Sequence, residues 1–285
     1  MANTAVYATE FATRLQDRLD KPTNWSEVLE VIYTDVRVID RPYLSTSPAV
    51  QTSQTRGSAY TYQDWGQTAD TITISNYEAL PLFVDRADLA QSTFETQMGW
   101  ADYEAQVINE RMEAVMLAGH GDWKDIGDSA GVPTLDVATQ ITITESNIDD
   151  VITAIQREIY VANGGPLFHR NGGFFVWRPA DFEKLTKFMM ANGFNSADHA
   201  LLEGTIPGTS FMGFDHYVSN DHTANHVFAG VKKTYALGIL KSTYGQIVII
   251  QDPAKISGIG IVSRVDYARK KFNNVAGLMY DINVA

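Results

Sequence analysis

The residues best suited to metal chemistry lie in one short stretch of the chain. It holds Asp215, His216, Asp221, His222 and His226. Imidazole and carboxylate groups bind zinc or iron, and His222 and His226 would share a face if the stretch were helical. However, there is no H-E-x-x-H motif, and a turn-forming Ser-Asn-Asp sequence separates His216 from the other two histidines. Polar residues around a strand and a turn are the simpler interpretation, so we predict no metal site and no cofactor.

A second pattern, GDSAG at residues 127–131, matches the G-x-S-x-G motif of serine hydrolases. That motif places its serine on a sharp turn between a strand and a helix, with a histidine and an acid supplied from later in the chain. Here Ser129 is soon followed by Val132-Pro133, which does not begin a helix cleanly. We therefore predict a plain turn, no catalytic residues and no enzymatic activity.

A small basic run near the end of the chain comprises Arg264, Arg269, Lys270 and Lys271. A solvated strand end explains it, and so does a site that meets a polyanion or an acidic neighbour. The run is not a sequence-reading nucleic-acid motif, and the chain has neither a P-loop nor a G-x-G-x-x-G motif for nucleotides. Both interpretations of the run stay open, while nucleotide binding has no support.

The overall charge argues against a protein that binds nucleic acid through contacts with its phosphates. The 285 residues include 34 Asp and Glu but 22 Lys and Arg, which gives a formal net charge of −12, and phosphate contacts need the opposite sign. Residues 1–160 carry 25 acids and 10 bases, net −15, whereas residues 161–285 carry 9 acids and 12 bases, net +3. There is no cysteine, so disulfides and thiolate sites are excluded. No secretion signal and no membrane span are predicted from the sequence.

The first fifty residues are predicted to form an arm rather than a compact unit. Phe11, Leu15 and Leu19 recur at four-residue spacing, which predicts one short helix that ends at Lys21-Pro22. A second short helix is predicted from Asn24 or Ser26 through Tyr33, followed by an extended Ser/Thr-rich connector that contains Pro42 and Pro48. Such an arm needs contacts from elsewhere to hold it in place.

Alternation of apolar and polar residues then predicts a long two-stranded hairpin. Tyr60 and Tyr62 alternate with small polar residues before a turn at 64–67, and Ile72 and Ile74 alternate with Thr and Ser after it. An isolated hairpin is marginally stable, so it should lie on another surface. Its aromatic residues either cover the core of the chain itself or anchor an interface, and the sequence leaves both open. They are Tyr60, Tyr62, Trp65 and Tyr77.

A long helix is predicted over residues 85–118. Asp85 and Asp88 resemble a capping arrangement, and Gly119 and Gly121 close the far end. One narrow apolar seam runs along it with strict 4-3 spacing. The seam consists of Phe94, Met98, Ala101, Ala105, Ile108, Met112 and Val115.

The second half of the chain mixes helices and strands, which gives an α+β class. A helix is predicted from Asn147 through Val161, then a buried strand, Gly173–Trp177, and a helix after Arg178-Pro179. The remainder is predicted to be mostly β-strand. These strands are expected at 214–218, 226–231, 245–250, 259–269 and 275–280.

The order of these features resembles a known capsid family. An arm and hairpin are followed by the apolar entry ALPLFVDR (79–86), the long acidic helix, the stretch FVWRPADF (175–182), a Gly-rich segment at 208–213 before YVSN (217–220), and a β-rich tail. This order is similar to that of the major capsid proteins of tailed double-stranded DNA bacteriophages, which have the HK97-type capsid fold. The resemblance covers nearly the whole chain, and none of its local patterns is diagnostic alone.

The resemblance implies a division of the chain into the parts of that fold. Residues 1–50 would be the N-terminal arm and 51–78 the extended β-hairpin loop that reaches over a neighbouring subunit. Residues 79–146 would form the peripheral domain with spine helix 85–118, residues 147–243 the α/β axial domain, and residues 244–285 the return to the peripheral sheet. The implied subunit contacts are Arg56, Tyr60, Tyr62, Trp65, Ile72, Ile74, Tyr77, Phe11, Leu15, Arg264, Arg269, Lys270 and Lys271.

The implied function is structural: self-assembly through pentamers and hexamers into an icosahedral shell of a virion, formed in the host cytoplasm around packaged double-stranded DNA. A separate scaffolding protein, a portal and a decoration protein are the implied partners, with no sequence-specific DNA binding, no membrane and no large N-terminal excision. In the cross-linking branch of the family a loop lysine bonds covalently to a neighbour's asparagine. Here no lysine occurs between Lys21 and Lys124, so the shell is predicted to be non-covalent.

Two other functions remain to be distinguished from a phage capsid. An encapsulin-like nanocompartment has the same fold but encloses a protein cargo instead of DNA. A soluble metal-dependent or serine hydrolase would instead depend on the His216–His226 stretch or on Ser129.

Overall fold

A computed structural model describes residues 27–44, 56–57, 59, 62, 66–85, 94–192, 211–220, 225–250, 258–272 and 277–285. The strands are β1 Glu30–Thr34, β2 Val38–Leu44, β3 Gln67–Thr73, β4 Asn76–Asp85, β5 Lys124–Ser129, β6 Val132–Leu135, β7 Gly173–Trp177, β8 Phe214–Val218, β9 His226–Val231, β10 Tyr235–Leu240, β11 Gln246–Ile250, β12 Gly258–Lys271 and β13 Met279–Asn283. The helices are α1 Phe94–Leu117, α2 Ile148–Val161, α3 Gly165–Asn171 and α4 Pro179–Ala191, and a 3₁₀ turn, Ala118–Asp122, follows α1. The predicted α+β class is confirmed.

A five-stranded sheet is built around the long strand β12. Strands β4, β10 and β11 all pair antiparallel with β12, and β1 joins by pairing parallel with β10. Helix α1 packs on this sheet through its apolar seam, because Ala101, Ala105, Ile108 and Met112 are buried in one core with side chains of β10 and β12. The described part of the predicted seam is therefore confirmed.

A six-stranded sheet carries the other helices, in the order β6-β5-β13-β9-β7-β8. Strand β7, between β9 and β8, is buried along its whole length, as predicted for Gly173–Trp177. Helix α2 covers the sheet with an apolar face that includes Ile148, Val151, Ile155 and Ile159. The predicted helices after Asn147 and Arg178 are thus confirmed, although the Asn147 side chain bonds Thr144 and Thr142 rather than capping α2.

The strand that carries Ile72 has a partner that was not predicted. β3 pairs antiparallel with β2, from Val38 opposite Thr73 to Leu44 opposite Gln67. The predicted pairing with the 58–62 stretch stays a prediction, because most of that stretch lies outside the described residues. The connector predicted around Pro42 is instead a strand, and Pro42 is tolerated because the described part of β2 pairs on one side only.

One predicted helix is wrong, and the predicted start of another is not described. Asp85 ends β4 and the described part of the long helix begins at Phe94, while residues 86–93 lie outside the described residues, so the start at Asp85 stays a prediction. The short helix predicted through Tyr33 is replaced by β1, which hydrogen-bonds to β10. Strand β10 and helix α3 were not predicted, and the short predicted helix with Phe11 and Leu15 lies outside the described residues.

The two sheets divide the chain differently from the predicted domain ranges. β10 lies in the range predicted as the axial domain but belongs to the five-stranded sheet, and β13 lies in the predicted return segment but belongs to the six-stranded sheet. The chain thus crosses between the sheets several times, and the domain ranges stay a prediction. Within the described ranges, no helix is long and apolar enough to cross a membrane.

Candidate subunit contacts and polar clusters

Two predicted contact residues are buried inside the chain itself. Ile72 and Ile74 pack in a small core with Ala236, Leu240 and Phe272, and both are almost fully buried. The β2–β3 ribbon is therefore fixed to the five-stranded sheet by its own apolar residues. Ile72 and Ile74 do not belong to the exposed surface that a neighbouring subunit would meet.

Several other predicted contact residues are exposed. Tyr62 is 93% exposed and Tyr77 is 57% exposed, and Arg56 lies in an exposed turn. The guanidinium carbon of Arg264 lies 4.3 Å from the centroid of the Tyr77 ring, a cation–π arrangement. Tyr60, Trp65, Phe11 and Leu15 lie outside the described residues.

The side chains of the late basic run have different surroundings. Arg264 donates two hydrogen bonds to the Asp266 carboxylate, at 2.9 and 2.8 Å, and Lys270 Nζ donates to the Thr71 carbonyl at 2.9 Å. Arg269, Lys270 and Lys271 line a cavity beside the 3₁₀ turn. The four residues therefore do not form one uniform basic patch.

The G-x-S-x-G sequence forms a β-hairpin turn. Ser129 pairs with Val132, and the two residues between them, Ala130 and Gly131, have φ values of 55° and 86°. Both positive values are those of a type I′ turn, which matches the twist of the flanking strands. Asp128 Oδ1 accepts a hydrogen bond from the Gly131 amide. Ser129 is thus exposed at the end of a hairpin. The hydrogen bonds of the described histidines are made with other residues.

The histidine-rich stretch does not gather into one site among the residues that are described. His216 Nδ1 accepts a hydrogen bond from the Trp177 indole at 2.8 Å, and burial lowers the pKa of His216 to about 4. The carboxylate of Asp215 pairs with Lys232. Asp221 and His222 lie outside the described residues. His216 is therefore a neutral, partly buried histidine held by its own partners.

The structure instead brings together three residues from distant parts of the chain. His120 Nδ1 lies 2.7 Å from Asp281 Oδ2, and His226 Nδ1 lies 2.8 Å from Asp281 Oδ1. The two imidazole centroids are 4.3 Å apart. Asp281 is buried, which raises its pKa, while both histidines act in the opposite direction. The cluster joins the 3₁₀ turn to β9 and β13, and no sequence motif announces it because the pairs are 161 and 55 residues apart.

This His–Asp–His cluster has ligand types that suit a transition metal. One atom from each of His120, His226 and Asp281 lies within 4.8 Å of the others, and zinc uses such nitrogen and oxygen ligands. However, the carboxylate already satisfies both Nδ1 atoms by hydrogen bonding. The cluster is therefore complete as a structural tie between the turn and the sheet.

Comparison with known proteins places the fold. No protein-family model and no curated protein sequence matches the chain. A chain of Mycobacterium phage Che8 superimposes with a TM-score of 0.62 at 16% identity, over 87% of this chain and 85% of that one. The capsid of a native GTA particle gives a TM-score of 0.63 at 12% identity, over 91% and 89%. A virus-like particle from Pyrococcus furiosus gives 0.57 at 10% identity, over 97% and 99%.

These similarities are structural, since identities of 10–16% lie far below those that transfer a function. They extend over at least 85% of both chains in each comparison, so they concern the whole architecture and not one shared motif. The chain therefore has the HK97-type capsid fold that the order of its sequence features resembled.

Proposed function

We propose that the chain is a major capsid protein, a structural subunit that assembles with copies of itself into a closed icosahedral shell around double-stranded viral DNA. The observation that carries the proposal is the end-to-end structural likeness to shell proteins, at TM-scores of 0.57–0.63. Closed shells form when one subunit makes the same few contacts many times, so that modest contacts add up. Catalysis has no part in this function.

The exposed residues of the chain are compatible with such repeated contacts. Tyr62 and Tyr77 present aromatic surface to solvent, and aromatic side chains are common anchors of protein interfaces. The net charge of −12 is compatible with a shell that encloses DNA without binding it tightly. The proposed arm and extended loop, the pentamers and hexamers, and the scaffolding, portal and decoration partners all belong to this function, as does a place in the virion after assembly in the host cytoplasm.

The proposal is tested by imaging the purified full-length protein by negative-stain electron microscopy, alone and with a co-expressed scaffolding protein from its own genome. We expect uniform closed shells or their five- and six-membered rings. If light scattering shows that the protein remains a single subunit under both conditions, the proposal is contradicted.

A shell around a protein cargo is the alternative with the same fold, and none of the comparisons favours it specifically. The contents of native particles distinguish the two functions. Nuclease-protected double-stranded DNA supports the phage capsid, whereas an enclosed enzyme without DNA supports the cargo shell.

A further inference from the structure

A cavity of about 260 Å³ lies beside the 3₁₀ turn that follows α1. The turn side contributes Gly119, Asp122 and Trp123, and the sheet side contributes Tyr235, Arg269, Lys270 and Lys271. Tyr235 is the register partner of Lys271, and Arg269 lies two residues before Lys271. Tyr235, Arg269 and Lys271 therefore project from the same face of the sheet, toward the turn.

Two residues that line this cavity carry a buried hydrogen-bond donor with no acceptor among the described residues. The donors are Nη1 of Arg269 and Nε1 of Trp123. Trp123 as a whole is only 8% exposed. Native proteins rarely leave such donors unpaired, so each requires an explanation, of which a bound ion or water is one. The hydroxyl of Tyr235 stays protonated beside them, because burial raises its pKa.

The charges around the cavity favour an anion. Arg269 and Lys271 are positive, while Asp122 is the one acidic residue among the described residues that line it. The third cation, Lys270, already donates to the Thr71 carbonyl and lies 3.7 Å from the Asp70 carboxylate. One unit of positive charge is thus left for an incoming ligand.

Gly119 leaves room for this arrangement. A Cβ atom at Gly119 would lie 2.5 Å from the Tyr235 hydroxyl and 2.7 Å from the guanidinium carbon of Arg269. Such contacts are far too short, so a side chain here would displace both groups. The glycine therefore lets the guanidinium group of Arg269 and the hydroxyl of Tyr235 lie against the backbone of the turn.

We propose that this cavity binds the carboxylate of an Asp or Glu side chain from a neighbouring copy of the chain, with Arg269, Lys271 and the Trp123 indole N–H as donors. The inference rests on the proposed shell function, since it requires a second copy. Residues 1–160 hold 25 acids against 10 bases, so acidic side chains are abundant on a neighbour. A duplex DNA backbone, with one charge per about 1.7 Å, needs an open track of cations rather than a recess of this size.

The anion site itself is tested on unassembled full-length protein with sulfate as the probe. Thermal unfolding is followed over a sulfate series at constant ionic strength for the wild type, Lys271→Gln, Trp123→Phe and the control Lys241→Gln, whose lysine is exposed in the turn after β10. We expect sulfate to stabilise the wild type and the control, with an apparent affinity about tenfold weaker for Lys271→Gln and several-fold weaker for Trp123→Phe, which keeps the ring but loses the N–H. The same response in all four proteins would overturn the anion site.

The occupant is tested on assembled shells made from equal parts of ¹⁴N- and ¹⁵N-labelled copies. A carbodiimide, which joins an amine to a carboxylate in direct contact, is applied, and the peptides are analysed by mass spectrometry. We expect mixed-isotope links between Lys271 and one acidic peptide, and no comparable link at Lys241. If the links join only peptides that carry the same isotope, they lie within one copy and the carboxylate occupant is overturned. Formaldehyde links from Lys271 to enclosed DNA would also overturn it. The absence of any shells would instead count against the proposed function, while the sulfate series would still report on the cavity.

Discussion

Glu104 lies on the face of α1 that packs against the five-stranded sheet, and its side chain is only 1% exposed. Oε2 accepts a hydrogen bond from the Ser263 hydroxyl at 2.6 Å, and Oε1 has no partner among the described residues. Burial raises the pKa of Glu104 to about 7, although the Ser263 hydrogen bond acts in the opposite direction. The folded protein therefore retains a proton at pH values where the unfolded chain has released it.

This carboxyl should make the stability of the subunit depend on pH. Between the unfolded pKa of 4.5 and the folded pKa of about 7, the folded state binds more protons, so the free energy of unfolding falls as the pH rises. Glu104→Gln removes the titration and keeps the shape. We expect the variant to lose this fall and to be more stable than the wild type at pH 8 by on the order of 2–3 kcal/mol. Urea unfolding at pH 4.5, 6 and 8 measures the difference.

Glu110→Gln provides the matched control for Glu104→Gln. Glu110 is exposed on the same helix, where it accepts a hydrogen bond from Gln106. Its substitution should leave the pH dependence of unfolding as in the wild type. If Glu104→Gln retained the full wild-type decrease between pH 4.5 and pH 8, the assigned role of Glu104 would be wrong.

At the scale of elements, α1 is held to the sheet by its apolar seam. Met112 is fully buried there, whereas Met190 on α4 is 44% exposed. We expect Met112→Ala to lower the free energy of unfolding by about 2–5 kcal/mol, because it removes buried contacts and leaves a cavity, even though alanine favours helix. Met190→Ala, the control, should change it by less than about 1 kcal/mol. Equal effects of the two substitutions in urea unfolding would show that the seam does not carry this packing.

Local patterns were sufficient for the elements whose own residues decide their structure. The apolar face of α2, the uniformly buried β7 and the proline at the start of α4 all act within a few residues. A periodic seam likewise identified the described part of α1, because the side that faces the sheet must be apolar at every turn.

Pairing across the chain was not predictable in the same way. The pairing of β3 with β2 was not predicted, because alternation reports that a strand is half buried and not which strand lies beside it. Tyr33 lies in a strand because β10 supplies its hydrogen bonds. The His120–Asp281–His226 cluster and the cavity at Arg269 likewise depend on residues more than one hundred positions apart, which no local spacing reveals.

At the scale of the whole molecule, the composition limits how copies can be joined. The chain has no cysteine, so disulfide bonds between subunits are excluded. No lysine lies between Lys21 and Lys124, which removes the amine that an isopeptide bond from the proposed extended loop would need. We therefore expect the proposed shell to be held together by packing, hydrogen bonds and charge complementarity, the last of which weakens in salt.

We therefore expect assembled shells to come apart completely when they are heated in SDS without any reducing agent. Denaturing electrophoresis should show a single species near the chain mass of 31.6 kDa, because non-covalent contacts do not survive unfolding of the subunits. Shells treated first with the carbodiimide serve as the positive control and should give a ladder of multiples of that mass. A ladder in untreated shells would mean that subunits are covalently joined through groups outside the loop, and the non-covalent shell would have to be abandoned.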